Sequence, residues 1–230
     1  MNETIISQTP TFIPVITDDR DFYMNIVLSL ITLLAVLVAL LQEPIRKYLS
    51  KSKIKVEIKK IPPDCHQILL TNPTTGAPVG NVIYSRIRIT NLSKKSSATN
   101  VEVFISRFWN IDKHNNRKEI TTFLPMNLKW SHTHEIRTSV LPIFYRYCDF
   151  GSFRNLNGNV CLILNTIVQP NPVSGGKVPN VIEAGRYVFQ LEISGENIDP
   201  VSKQWELQFK NEWHEEEQKM LNSIIFTEKK

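Results

Sequence analysis

Residues 83–90 read Ile83-Tyr84-Ser85-Arg86-Ile87-Arg88-Ile89-Thr90. Small or apolar side chains alternate there with aromatic, charged or polar ones. In an extended chain successive side chains point to opposite sides, so this period of two marks a strand with one dry face and one wet face. The same alternation recurs elsewhere. Ile54, Val56 and Ile58 alternate with Lys55, Glu57 and Lys59, and Val101, Val103 and Ile105 with Glu102, Phe104 and Ser106. Tyr187, Phe189, Leu191 and Ile193 alternate with Val188, Gln190, Glu192 and Ser194, and Trp205, Leu207 and Phe209 with Glu206, Gln208 and Lys210. One buried face per strand is the mark of antiparallel sheets.

The gaps between these runs hold turn chemistry: residues 72–76 (Asn-Pro-Thr-Thr-Gly), 91–97 (Asn-Leu-Ser-Lys-Lys-Ser-Ser), 170–176 (Pro-Asn-Pro-Val-Ser-Gly-Gly) and 195–197 (Gly-Glu-Asn). About seven to nine short strands broken in this way predict an all-β fold, an antiparallel immunoglobulin-like sandwich or a small barrel. The run Val160 to Val168 is apolar on both faces and reads as a central strand. His66–Thr71, Leu124–Trp130 and Phe144–Phe150 are weaker strand candidates. Strands do not alternate with helices, so a doubly wound nucleotide-binding fold is not expected. Near the C-terminus Trp213, Met220, Leu221 and Ile224 share one side at helical spacing, and Glu215 and Lys219 form an i,i+4 pair. A short C-terminal helix closing one end of the sandwich is expected there.

The N-terminal part follows a different pattern. Residues 22–41 read FYMNIVLSLITLLAVLVALL and contain no charge. As a helix they rise about 30 Å, the thickness of a hydrocarbon core, and a helix pairs its own backbone groups as lipid demands. A cleaved signal peptide calls for a basic start and small residues after the apolar run. Residues 1–21 instead carry Glu3, Asp18, Asp19 and Asp21 against Arg20, and Gln42-Glu43-Pro44 follows the run. A single transmembrane helix is expected, with Pro44 near its end.

Past the helix stand Arg46, Lys47, Lys51, Lys53, Lys55, Lys59 and Lys60 against one acid, Glu57. The positive-inside rule puts the N-terminus outside and residues 43–230 in the cytoplasm, at the plasma (inner) membrane. The expected layout is a disordered outer tail (1–21), a transmembrane helix (22–41), a basic juxtamembrane linker (42–53), a β-sandwich domain (54–210) and a C-terminal helix or tail (211–230). The net charge is +5 with a pI near 9.1. Placed beside a membrane span, this basicity suits anionic headgroups, at about 1 kcal/mol per near-surface base, rather than a nucleic-acid duplex. Arg46, Lys47, Lys51 and Lys53 are the expected membrane-surface contacts. Three cysteines, Cys65, Cys148 and Cys161, are an odd number without regular spacing, which argues against a disulfide framework and fits a reducing compartment.

Arg86-Ile87-Arg88-Ile89-Thr90-Asn91-Leu92-Ser93, a short polar loop, and then Ala98-Thr99-Asn100-Val101-Glu102-Val103-Phe104-Ile105 resemble the strand–Asn–loop–Ala–x–x–Val–x–Val pattern of bacterial immunoglobulin-like domains of the CARDB type. The likeness covers about twenty residues and implies a sandwich; that architecture hosts many roles. Those domains are usually extracellular, whereas the charge bias here points to the cytoplasm. The whole layout also resembles small bacterial single-pass membrane proteins.

Motifs of known chemistry are sparse. His132-x-His134 could offer two metal ligands but lacks a spaced third and fourth, with only Glu135 nearby. Cys65-His66 has no assignable base. His214-Glu215-Glu216-Glu217 is followed by Gln218 where a zinc-protease helix needs a second histidine. Asp149-Phe150-Gly151 matches a kinase tripeptide without the surrounding motifs. No catalytic residue, metal or cofactor is therefore expected. Phe108, Trp109, Trp130, Tyr145 and Tyr147 lie near Arg107, Lys129, Arg137 and Arg146, a mixture that can stack bases and hold phosphates or simply form a sandwich core. Arg107, Trp109, Trp130 and Arg146 are the candidate ligand contacts. The expected function is a non-enzymatic, membrane-tethered interaction or sensing module with a protein partner or homo-oligomer. The alternative is a membrane effector of a bacterial defence system whose β domain binds a cyclic nucleotide and oligomerises.

Overall fold

The computed structural model describes residues 19–49, 51–72, 74–133, 135–166 and 180–229. Residues 1–18 of the expected outer tail, His134, Ile167, Val168 and the loop at 170–176 lie outside them, and the last three residues of that tail, 19–21, are instead the start of a helix. The chain divides into two compact units, Met1–Leu49 and Ser50–Lys230.

The first unit is helix α1, Asp19–Leu49. Its stretch Phe22–Glu43 is long and apolar enough to cross a membrane, and none of it is buried. Ser29 and Thr32 are accommodated within the helix. Ser29 Oγ donates to the Asn25 carbonyl and Thr32 Oγ1 to the Leu28 carbonyl, each at 2.8 Å, so neither hydroxyl needs water. The helix continues through Pro44 to Leu49, so most of the linker expected at 42–53 is helical. Proline gives up one backbone bond there, and Arg46, Lys47 and Leu49 behind it are good helix formers.

The second unit runs β1 (Ile54–Glu57), β2 (Cys65–Thr71), β3 (Pro78–Asn91), β4 (Ala98–Ile111), β5 (Arg117–Glu119), β6 (Met126–Asn127), β7 (Lys129–Trp130), β8 (Thr138–Val140) and β9 (Tyr145–Leu156). It continues with β10 (Asn159–Leu164), β11 (Val181–Glu183), β12 (Gly185–Ser194), β13 (Val201–Phe209), helix α2 (Glu217–Ser223) and β14 (Ile224–Lys229). Two antiparallel sheets pack as a sandwich. Sheet one has the order β1-β3-β9-β10-β11, with β2 on β3 and β7 on β9; sheet two has the order β14-β13-β12-β4-β5, with β6 and β8 on β4. The two separate sheets select the sandwich over the barrel.

The dry positions of the alternating runs form the core. Ile83, Ile87, Ile89, Val101, Val103, Ile105, Phe189, Leu191 and Leu207 are fully buried. Rings join the two layers: Phe150 of sheet one meets Phe189 of sheet two at 4.9 Å between centroids, and Phe153 meets Phe209 edge-on at 5.1 Å.

The expected interior strand is β10, flanked by β9 and β11, with Val160, Cys161, Leu162 and Leu164 buried and Ile163 half-buried. β9 is also covered on both faces, buried continuously from Cys148 to Phe153. Asp149, Gly151 and Ser152 broke the apolar pattern of β9 and hid its position. The expected short C-terminal helix is α2, seven residues with Met220 and Leu221 buried. Residues 224–229 are then a strand on β13, paired from Phe209↔Ile224 to Gln204↔Lys229, so the sandwich extends past residue 210. Ile224 is buried as the first residue of that strand, which is why it fitted helical spacing by coincidence.

Candidate functional site

β1 is an edge of sheet one, and β14 with its neighbour β13 is an edge of sheet two. A groove of about 390 Å³ opens between them. Its apolar part comes from the inward positions of β1, Ile54 and Val56, with Ile58 just after it, together with Leu92 and Trp205. Lys53, Lys55, Lys59 and Lys203 surround it, with Glu57 and Glu228 among them. Lys203 pairs with Glu228 at 2.5 Å, and Glu57 takes Lys55 at 3.1 Å and Lys59 at 3.5 Å. Burial opposes ionisation of Glu57, but the two lysines outweigh it and hold its carboxyl below the ordinary value. The four lysines against two glutamates leave the groove net positive. Trp205 is buried, and its indole nitrogen has no hydrogen-bond partner. A buried donor left without an acceptor costs about 1–3 kcal/mol.

A second cluster covers the outer face of sheet one. Arg88 grips Asp64 in two-pronged fashion, Nη2 to Oδ1 at 2.5 Å and Nε to Oδ2 at 3.1 Å, and also donates to the Tyr147 hydroxyl at 3.1 Å. Its guanidinium lies 4.7 Å from the Tyr145 ring centre. Arg86 sits 5.0 Å from the Tyr84 ring centre and 3.5 Å from Asp149. Asp149 also accepts from Ser131 and, at 3.3 Å, from Asn165, which donates to the Tyr84 hydroxyl as well. Burial, reinforced by Asp149, raises the Tyr84 phenol well above its ordinary value. Burial and then Asp64 push the Tyr147 phenol up to about 12. Both phenols stay protonated at neutral pH, and both carboxylates are engaged. The cluster pins the segments carrying Asp64 and Ser131 onto the sheet.

The remaining candidates scatter. Trp130 is a core residue, 1% exposed, with its indole nitrogen donating to the carbonyls of Val101 (3.1 Å) and Ile136 (3.0 Å); it cannot face a ligand. Arg107 is exposed and Trp109 half-buried on β4 of sheet two, whereas Arg146 is exposed at the start of β9 in sheet one. The four do not converge. Of the basic residues, Lys53 lines the groove and Lys51 pairs with Asp199 at 2.5 Å. The side chains of Arg46 and Lys47 lie outside the described ones. Cys65, Cys148 and Cys161 are free and buried. Burial pushes the Cys65 thiol up to about 12 and raises the other two, the wrong direction for a nucleophile at neutral pH. Asp149-Phe150-Gly151 serves the fold: ion pair, core ring and close strand contact. His114 and His132 are exposed in turns, and among the described residues no three His, Cys, Asp or Glu side chains converge for a metal.

Sequence alone missed the groove. Its walls come from residues 53–59, 92, 203, 205 and 228, and nothing in their spacing shows that two sheet edges meet. The chain matches no family model, no curated protein and no solved structure.

Proposed function

We propose that this chain is a single-pass membrane protein whose β-sandwich works as a non-enzymatic binding module at the cytoplasmic face. The observation that carries it is α1: every described side chain from Phe22 to Glu43 is exposed over a span that needs an apolar surrounding. Support for the orientation comes from the basic run after the helix and the acidic residues before it. Three free, buried cysteines suit a reducing compartment. Tethering confines the module to a thin layer of solution, which raises its effective concentration toward surface partners. The test is carbonate extraction of the full chain combined with reporters fused after Lys230. The expected result is an unextractable protein whose C-terminal reporter is active only in the cytoplasm. Extraction into the soluble fraction, or a reporter active outside, rejects the reading.

The groove favours a second reading, in which the module senses a small anionic ligand such as a cyclic nucleotide and oligomerises on binding it. The excess of lysine over glutamate supports it. Thermal-shift measurements with cyclic nucleotides should raise Tm in wild type and not in Lys203→Glu. No shift with any of them removes this reading.

A further inference from the structure

At one end of the sandwich, apolar side chains stand in the open around a strained backbone. Ile143 is 66% and Phe144 62% exposed, and Leu92, Leu141 and Tyr145 are exposed with them. Ile143 adopts φ +57°, a conformation that β-branched residues avoid. Hydrogen bonds hold it there: Ile143 N donates to the Ser93 carbonyl at 3.1 Å, Phe144 N to the Leu141 carbonyl at 3.2 Å, and Asn91 N to the Phe144 carbonyl at 2.9 Å. The β8–β9 and β3–β4 turns are thereby one unit. Leu92 N donates to the Lys53 carbonyl at 2.8 Å, which ties that unit to the residue just before β1. Exposed Lys53, Lys94, Lys95 and Arg146 flank the apolar tip.

We propose that this tip docks on the bilayer surface, with Ile143, Phe144 and their neighbours among the acyl-chain ends and the four bases on anionic headgroups. The inference rests on the reading of α1 as a membrane anchor. Three features select lipid over a protein partner. Residues 50–53 alone separate the end of α1 from β1, so the chain cannot carry Lys53 more than roughly 14 Å from Leu49. Aromatic and aliphatic side chains ringed by lysine and arginine match an apolar interior under a negative surface. Backbone strain that points Ile143 outward gives the monomer in water nothing, whereas insertion gives that side chain an apolar environment.

The test uses the full chain in nanodiscs. A fluorophore is attached at Phe144→Cys or, as a control, at Asn157→Cys, an exposed turn residue at the other end of β9; the native cysteines are buried. In discs of phosphatidylcholine with about 30% phosphatidylglycerol, the label at 144 should shift to the blue. Nitroxide-labelled lipid should quench it several-fold more than the label at 157. Lys94→Glu with Lys95→Glu, or high salt, should remove most of that difference. Equal quenching at both sites in a chain that has entered the disc overturns docking and leaves the anchor standing. Failure to enter the disc overturns both. A blue shift that appears in detergent and grows with protein concentration overturns lipid docking in favour of self-association.

Discussion

The buried side-chain amide of Asn91 donates to the backbone carbonyl of Val140 at 3.0 Å, joining the end of β3 to the end of β8 across 49 residues of chain. The same amide donates to the Ser96 carbonyl at 2.8 Å, and its oxygen accepts from Ser93 N at 2.9 Å. One fully buried side chain therefore sets the turn by which the chain leaves sheet one for sheet two. Asn91→Leu would take this partner from the Val140 carbonyl and the Ser93 N–H at once, while the Ser96 carbonyl keeps the Ser52 hydroxyl at 3.0 Å. Leaving buried groups unpaired costs about 1–3 kcal/mol each, partly relieved by water, so a loss of about 3 kcal/mol in urea unfolding is expected. A loss within error would mean that the loop closes without this residue.

Arg88 and Asp64 make the other long-range clamp. Asp64 is fully buried and Arg88 mostly so. Arg88→Met should cost about 3 kcal/mol, because it leaves a buried carboxylate without its partner. Arg88→Lys should restore only part of that, since one ammonium cannot reproduce the two-pronged grip. Chemical denaturation of the three proteins gives the ranking; a lysine variant as stable as wild type would show that charge alone suffices.

Where a strand has one wet face, its sequence announces it: the alternations at 83–90, 101–106, 187–194 and 205–210 all lie in strands whose dry positions are in the core. The signal failed where burial and polarity coincide. β9 is buried on both faces yet holds Asp149, Gly151 and Ser152, because its outer face is covered by ion pairs rather than by apolar side chains. β14 failed because six residues are too few for either period to declare itself. The groove and the exposed tip were not legible for a different reason. Each joins residues far apart in the chain, and nothing in Leu141-Pro142-Ile143-Phe144 marks it as exposed.

Glu206 fastens the last strand. It accepts from Arg186 on β12 and pairs with Lys229 on β14. The hydrogen bond from Arg186 is the largest cause holding its carboxyl below the ordinary value, with Lys229 adding to it against some burial. A carboxyl whose folded pKa is depressed contributes stability above its unfolded pKa, about 4.3, and that contribution is lost as pH falls through the folded value. Glu206→Gln should therefore be less stable than wild type near neutrality, and the gap should close below about pH 4. Unfolding curves across that range decide it; a gap independent of pH would assign the loss to packing instead.

Gly151 gives a prediction whose sign is diagnostic. Glycine inside a strand usually weakens it, so Gly→Ala in an unhindered strand would be expected to stabilise by about 0.5–1 kcal/mol. At residue 151 a Cβ would run into the Ile163 carbonyl oxygen on β10 and come within 2.9 Å of Leu162 Cδ1. The leucine can turn aside, but the carbonyl belongs to the β9–β10 ladder, where Ile163 pairs with Ser152 and Leu164 with Gly151 itself. Relief then requires the two strands to part, and overpacking of this kind costs about 1–3 kcal/mol. Gly151→Ala should lower Tm, and it should also speed reaction of Cys161, on β10, with a thiol reagent, because local opening of that ladder uncovers it. A raised Tm would mean that β9 and β10 have slack the close approach conceals, and unchanged thiol reactivity with a lowered Tm would place the damage on the β3 side of Gly151, where it faces Ser85.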